Sequence, residues 1–426
     1  MAGPNVTAGS SNDATRLARR LGVRDAVVVG LGAMIGAGVF AAVGPAARAA
    51  GSALLLGLAL AAAVAYCNAT SAAQLAALHP ESGGAYAYGR ARLGDLWGFL
   101  AGWGFVVGKL ASCAAMALTF ASYAAPDVAA PLAVASVVVL TAVNYRGIRQ
   151  TVRLTRVIVG IVLLALAVTV VAIVPGGAVD AARLRLGDGV TIHGVLQAAG
   201  FLFFAFAGYA RIATLGEEVI DPRRTIPKAI PLALGITLAV YAVVATSALL
   251  AVGPEGLAGS AAPLATAVKA GDLAWLSPAV RVGAAVASLG VLLSLLAGVS
   301  RTTFAMAANH DLPHFLAAVH PRHRVPHRAE VGIGLIVATV AATTDVRAAI
   351  GFSSFTVLHY YAIANAAALS LDRTERRWPR WLAVGGLLGC IALAFSLPLA
   401  SIVAGAGVLA SGAIVFAVRR WRRRSS

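Results

Sequence analysis

The chain has 426 residues, of which 59% are hydrophobic and 12% are charged, and its mean hydropathy is +0.84. This composition lies far outside that of soluble globular proteins and requires many membrane-spanning segments. A formal net charge of +17 could suggest a nucleic-acid partner, but the positions of the basic residues argue against one.

Lysine and arginine are concentrated in alternate predicted loops. The loops on one side of the membrane carry 26 of these residues, whereas those on the other side carry six. This asymmetry is the positive-inside bias, and with an even number of spans it places both termini in the cytoplasm. We therefore expect a multi-pass protein of the cell membrane that contacts membrane lipid and has no nucleic-acid partner.

The chain has room for about twelve transmembrane helices at about 20 apolar residues per span, so the predicted fold class is an all-α integral membrane protein. One transmembrane domain (25–418) is expected between a disordered N-terminal tail (1–24), which lacks the features of a signal peptide, and a basic C-terminal tail (419–426). The predicted spans are 25–47, 52–77, 95–123, 127–145, 153–174, 193–219, 227–252, 280–308, 329–344, 346–371, 380–398 and 400–418.

Two hydrophobic spans are interrupted at mid-membrane depth, at "GLGAMIGAGVF" (30–40) and at "FLFFAFAGYARIATLGEEV" (201–219). An unwound helix within lipid is tolerated only around a cavity or a bound solute, so these breaks indicate a transport site. They begin two halves, 25–174 and 193–371, as in a 5+5 inverted repeat with discontinuous helices 1 and 6. The two last helices (380–418) lie outside that repeat.

The Gly36-Ala37-Gly38 step predicts a backbone site for an α-amino acid. Free amides at the start of a half-helix attract a carboxylate, and carbonyls freed nearby suit an ammonium group. Glycine is needed where the ligand approaches the backbone closely. The alternative is that Gly36 and Gly38 only pack against a neighbouring helix.

Three motifs resemble those of the amino acid–polyamine–organocation (APC) family of permeases. They are "GAMIGAGVF" in the first span, "FFAFAGYARIATLGEEVIDPRRTIPKAI" (203–230) and "GVSRTTFAMAANHDLP" (298–313). The resemblance, which runs from about residue 25 to residue 371, implies a LeuT-type fold in which spans 1, 2, 6 and 7 rock against a scaffold that includes spans 3, 4, 8 and 9.

The resemblance also implies a substrate site. Its carboxylate would bind at Ile35, Gly36, Ala37 and Gly38, and its amino group at the carbonyls of Phe203, Ala205 and Phe206. Tyr209 stands where the family often has a gating or pocket residue, although a core aromatic residue is the alternative.

Two departures from the family concern coupling and specificity. Val162 stands where many proton-coupled and cationic amino acid carriers have a lysine, which puts coupling by that route in doubt. Ala210 follows the aromatic residue where some relatives have an acidic one, which weakens the case for a basic substrate or a polyamine.

Charged residues within or beside the spans are candidates for coupling or gating. Lys109 lies near the bilayer centre in the third span and could carry charge or protons, or could bind backbone carbonyls. Arg211 could bind an acidic side chain or pair with Glu217 or Glu218, which could themselves form an inner gate or a solvated helix end. Asp25 could be a favourable charge at a helix N-terminus or a gate partner.

The sequence therefore predicts a secondary transporter for α-amino acids, neutral or small ones first, that works by proton symport or exchange. The alternatives are an amino acid sensor without turnover and a permease for cationic amino acids or polyamines. An enzyme is not expected, because the spans contain no catalytic constellation. No cofactor or metal is expected either, since the five histidines of 309–330 have no compact ligand spacing.

The long connector 253–277 predicts a surface helix or a simple loop.

Overall fold

The computed structural model describes residues 21–79, 83–147, 152–187, 189–213 and 219–425. Regular structure in these residues is helical, apart from one isolated β-bridge between Leu21 and Val219. The all-α prediction is therefore confirmed for the described part of the chain. Residues 1–20 of the predicted N-terminal tail lie outside the described residues.

The α-helices are numbered in chain order. They are α1 (Val23–Met34), α2 (Gly38–Ala50), α3 (Leu54–Leu78), α4 (Ala85–Leu93), α5 (Asp95–Ala124), α6 (Ala129–Tyr145), α7 (Val152–Ile173), α8 (Ile192–Phe206), α9 (Ala210–Ala213), α10 (Pro222–Ala258), α11 (Pro263–Lys269), α12 (Ser277–Ala308), α13 (His327–Thr343), α14 (Val346–Leu369), α15 (Arg380–Ser396) and α16 (Leu399–Ser425).

Eight helical stretches of the described residues are long and apolar enough to cross a membrane. They are Gly38–Leu78, Asp95–Ala124, Pro126–Tyr145, Arg153–Ile173, Ile192–Tyr209, Pro222–Ala258, Ala274–Ala308 and Leu399–Arg422. These stretches establish a multi-pass membrane protein. The total of twelve spans and the inverted repeat stay predictions.

Both predicted interruptions are present. The first span divides where α1 ends at Met34 and α2 begins at Gly38. The sixth divides after Phe206, where one 3₁₀ turn (Ala207–Tyr209) leads into α9. The breaks touch, because a Cβ atom added at Gly38 would lie 2.7 Å from the Ala205 Cα atom. Glycine is thus required where the two half-helices cross.

The helices pack in two groups. On one side, α2 and α3 pack against α8 and α10, and α1 packs against α10. On the other side, α5 packs against α12, and α6 packs against α13. Helix α14 contacts both α5 and α3, while α7 contacts both α1 and α12. The broken helices therefore belong to one group, and only a few helices connect it to the other.

The connector between α10 and α12 contains a helix, which resolves the choice between a helix and a loop. Gly253 has a φ of 66° within α10, so the chain turns there before it reaches α11. Leu264 and Val268 on α11 are fully buried. This helix therefore packs into the bundle rather than lying loosely on its surface.

At the C-terminus, α16 continues without interruption through the residues predicted as a basic tail. Arg419 and Arg420 therefore lie on the last turns of a long helix, and the backbone of that helix fixes their positions.

The short helix α4 is joined to the loop before α15 by an ion pair. The Arg92 guanidinium donates to both carboxylate oxygens of Glu375, at 2.7 and 3.0 Å, and its Nε donates to His79. The hydrogen bonds from Arg92 lower the pKa of Glu375 below its ordinary value of 4.5. The bidentate geometry favours the ionised carboxylate.

Substituting Glu375→Gln tests this ion pair. Because the pKa of Glu375 is lower in the folded protein, the pair stabilises the fold above pH 4.5 and loses this effect as the pH falls through the folded pKa. We expect E375Q to unfold at a lower temperature than the wild type near neutral pH and at the same temperature in acid. Glu255→Gln is the control, since Glu255 has no ion-pair partner among the described residues. A difference that persisted in acid would contradict the assignment.

Candidate functional site

The candidate site is the junction of the two helix breaks. Helix α2 begins there without a side-chain cap, and no acceptor among the described residues bonds to the amides of Gly36, Ala37 or Gly38. The amide of Ile35 instead donates to the Leu31 carbonyl at 2.6 Å, within the last turn of α1. Three of the four predicted amides are thus available at the start of a half-helix, a position that favours an anion.

The carbonyl side of the junction is more fully occupied. The Phe203 carbonyl accepts the Ala207 amide, which closes the last turn of α8. The Ala205 carbonyl lies 3.2 Å from the Tyr241 hydroxyl, and the Ala207 carbonyl accepts the Tyr361 hydroxyl at 3.1 Å. A carbonyl oxygen has two lone pairs, so each of these groups can accept a second donor such as an ammonium.

Tyrosine hydroxyls from other helices satisfy the carbonyls that the breaks set free. Tyr241 on α10 donates to the Met34 carbonyl, at the end of α1, and also reaches Ala205 in the other break. Tyr123 on α5 also donates to the Phe40 carbonyl at 3.2 Å, inside the first turn of α2 rather than at the break itself. Sequence reasoning missed these residues. The available signal was a tyrosine inside an apolar span, because a buried hydroxyl needs a partner.

The side chains around the junction form an apolar wall. Ile35, Ala37, Phe203, Ala205 and Phe206 are all at most 3% exposed. The Phe206 ring lies 5.2 Å from that of Tyr241, and the Phe203 ring lies 5.7 Å from that of Tyr361. The structure thus brings together the residues that the sequence placed in one site.

Tyr209 differs from the other buried tyrosines at the junction. It is 0% exposed, and its ring lies 5.0 Å from that of Tyr361. Its hydroxyl faces that of Tyr361 but forms no well-aligned hydrogen bond with a described residue. A buried hydroxyl that is incompletely paired requires an explanation, and a ligand-binding role is one.

Lys109 lies deep in the bundle on α5, with part of its side chain still accessible. The contacts of α5 with α14 fix its depth, since Phe105 packs on Tyr360 and Ser112 lies 2.7 Å from Ser353. Lys109 is therefore within about two helical turns of Tyr361, which reaches the second break. Its ammonium lies 5.9 Å from the Phe105 ring centroid and forms no ion pair with a described residue.

Of the remaining predicted charges, Asp25 lies away from the breaks, Arg211 directly follows the second break, and two glutamates lie outside the described residues. Asp25 lies in the first turn of α1 and pairs with Arg156 on α7, so it joins two helices. Arg211 is half-buried on α9. Glu217 and Glu218 lie outside the described residues, and their pairing with Arg211 stays a prediction. Val162 is buried in α7.

Three of the five histidines between α12 and α13 surround Tyr145. The ring centroid of His320 lies 4.7 Å from that of His323 and 5.4 Å from that of His327. Within the described ranges, no group of three His, Cys, Asp or Glu residues has a geometry that could hold a metal ion.

The tyrosine hydroxyls make a direct prediction for stability. Tyr241→Phe leaves the Met34 carbonyl without its buried donor, so we expect the free energy of unfolding to fall by about 1–3 kcal/mol. Tyr209→Phe removes a hydroxyl that faces Tyr361 without a well-aligned hydrogen bond, so we expect a clearly smaller change. Thermal unfolding of both variants in detergent measures the difference. Equal loss in both variants would refute this role for Tyr241.

Comparison with known proteins supports the same interpretation. The sequence profile of a family described as "Amino acid permease" matches residues 21–418. An "uncharacterized transporter" of Mycobacterium tuberculosis is 63% identical over 404 residues, which are 95% of this chain and 92% of the relative.

Two more distant relatives have named substrates. The branched-chain amino acid permease BcaP of Bacillus subtilis is 26% identical over 392 residues, covering 85% of this chain and 83% of the relative. The human cationic amino acid transporter 4 is 29% identical over 386 residues, covering 83% of this chain and 60% of the relative. The resemblance seen in the motifs is thereby confirmed, and the chain belongs to the amino acid permease family.

Proposed function

We propose that this protein is a secondary transporter that moves neutral or small α-amino acids across the cell membrane by alternating access. The observation that carries the proposal is the junction of the two breaks. There the amides of Gly36, Ala37 and Gly38 have no acceptor among the described residues, beside carbonyls that can take a further donor. The α-carboxylate binds the amides and the α-ammonium binds the carbonyls, so the backbone recognises what all α-amino acids share.

The packing of the helices supports alternating access. The broken helices lie in one group with α3 and α10, and α5, α6, α12 and α13 form another. Relative rocking of these groups exposes the junction first to one side of the membrane and then to the other. The full architecture that we propose has twelve spans in a 5+5 inverted repeat, with α15 and α16 outside it and both termini in the cytoplasm.

The surroundings of the junction favour an apolar side chain in the substrate. The wall consists of residues such as Phe203, Phe206 and Ile35, which offer no charge to a basic or acidic group. The buried Tyr209 hydroxyl supplies one polar group that can bind the substrate. The substrate of the Bacillus subtilis relative, a branched-chain amino acid, is of the same class. The human relative carries cationic amino acids, which makes them the second class to test.

Uptake into proteoliposomes tests the proposed function. We expect saturable uptake of a labelled neutral amino acid such as leucine, alanine or valine, with arginine and lysine as weak competitors. Uptake that needs amino acid inside the vesicle indicates exchange, and uptake that rises with an inward proton gradient indicates symport. Saturable binding without flux would contradict transport and indicate a sensor. Uptake restricted to arginine and lysine would contradict the proposed substrate class.

Lys109 is the proposed coupling residue. Its ammonium lies inside the bundle without a described anionic partner, at a depth close to the second break. An isolated intramembrane charge is unfavourable by several kcal/mol unless it is hydrated or can release its proton, so such a group usually has a function. Many relatives carry a lysine in the fifth span, where this chain has the buried Val162. The positive charge of Lys109 on α5 therefore lies at a different position from the charge of those relatives.

Substituting Lys109→Met tests the coupling role. We expect the variant to lose the stimulation of uptake by a proton gradient and the dependence of uptake on pH, while exchange of internal for external amino acid persists. Lys269→Met is the matched control, because Lys269 is exposed on α11, away from the junction. Unchanged rate and pH dependence in Lys109→Met would refute the assignment, whether or not the substrate class is correct.

A further inference from the structure

Two adjoining cavities lie where the end of α16 meets the start of α5, on the face that carries the basic loops. The larger has a volume of about 370 Å³, and its lining includes Trp103, Leu312 and Val415. The smaller has a volume of about 230 Å³, and its lining includes Arg90 and Arg420. Asp311 and Arg419 line both. A mostly apolar cavity thus opens beside a strongly charged one.

The buried carboxylate of Asp311 holds the side chains that line the charged cavity in place. Its side chain is 7% exposed, and it accepts hydrogen bonds from Arg90 Nη2 at 2.6 Å and from the Tyr86 hydroxyl at 2.8 Å. Arg419 Nη1 donates to the Asp311 carbonyl at 2.6 Å and lies 3.4 Å from its carboxylate. Asn309 donates to the same tyrosine hydroxyl at 3.1 Å. Three segments of the chain, α4, the loop after α12 and α16, therefore hold two arginines in place.

The charge balance of the smaller cavity favours an anion. Arg90, Arg419 and Arg420 face the carboxylates of Asp95 and Asp311, which leaves an excess of one positive charge. Arg420 forms no ion pair within the described ranges. A guanidinium has five N–H donors, and Arg419 uses only Nη1 in its contacts with Asp311. Donors thus remain for the oxygens of a phosphate group.

The apolar side of the site continues onto a surface that faces lipid. Val415, Ile414 and Val418 are exposed on α16, which is apolar enough to cross a membrane. Trp103 is fixed beside them, because its indole N–H donates to the Val408 carbonyl at 2.8 Å. A soluble phosphate ester would leave this apolar cavity unfilled. An acyl chain fills it and continues along the helix into the bilayer.

We propose that these cavities bind one anionic phospholipid. Its phosphate binds Arg420 and the free donors of Arg419, and one acyl chain lies against Trp103, Leu312 and Val415. Basic pockets between membrane helices are suited to anionic headgroups. The site joins α16 to the loop after α12 through Asp311, so the bound lipid holds together the C-terminal helix and the scaffold group. The site is independent of the transported substrate.

Native mass spectrometry of the purified protein tests the site. The protein is released from nanodiscs that contain equal amounts of phosphatidylglycerol and phosphatidylcholine, and the retained lipid is counted. We expect the wild type to retain one phosphatidylglycerol in preference to phosphatidylcholine. Arg420→Gln removes one charge-assisted contact and is expected to reduce this retention about tenfold.

Two further variants keep the test decisive. Val415→Trp fills the apolar cavity and is expected to reduce retention while every arginine remains. Arg373→Gln is the matched control, since Arg373 is exposed on the same basic face and lies outside both cavities, and it is expected to retain lipid like the wild type. Monodisperse elution of each variant in size-exclusion chromatography verifies folding.

Three outcomes would overturn the proposal. The first is equal retention of the two lipids by the wild type. The second is the same loss in Arg373→Gln as in Arg420→Gln. The third is displacement of the retained lipid by soluble glycerol phosphate at concentrations near that of the protein, which would assign the site to a free phosphate ester rather than to a lipid.

Discussion

Backbone amides and carbonyls inside a membrane need hydrogen-bond partners, and the rest of this structure depends on how two helix breaks meet that requirement. Each break frees groups that an intact helix would pair. The carbonyls of Met34 and Ala207 receive tyrosine hydroxyls from α10 and α14. The amides of Gly36 and Ala37 receive nothing from the described residues. The freed carbonyls are paired, whereas these freed amides have no partner among the described residues. The junction therefore keeps N–H groups that an anionic ligand group can bind.

The same tyrosines connect the junction to both helix groups. Tyr241 contacts both breaks from within the group that contains them, whereas Tyr123 and Tyr361 reach the junction from helices that pack on the other group. In the proposed rocking of one group against the other, the donors available to the carbonyls would change, and the substrate ammonium would take the place of a hydroxyl. Asp311 bonds to Arg419 on α16, away from the junction, so the proposed lipid site and the proposed substrate site involve different elements.

The sequence predicted the all-α membrane architecture, the two breaks and the family, because these follow from apolar length, glycine positions and local motifs. It also placed Gly38 and Ala205 in one site, and they touch. The tyrosine caps could not be assigned, because the register between distant helices decides which hydroxyl reaches which carbonyl. The resemblance assigned the Phe203 carbonyl to the substrate amino group, but that carbonyl already accepts the Ala207 amide in the last turn of α8. The hydrogen bond between Arg419 and Asp311 could not be predicted either, because the sequence did not indicate that α16 continues through the basic segment.

The central claim is that free amides at the junction bind the α-carboxylate of the substrate, and blocking that carboxylate tests it most directly. The measurement is the rise in thermal unfolding temperature of the purified protein with a transported amino acid, compared with its amide derivative, which keeps the ammonium and the side chain. The account predicts that the amino acid stabilises the protein in a saturable manner and that the amide does not. Equal stabilisation by both compounds would contradict the assignment of Gly36, Ala37 and Gly38 to the carboxylate.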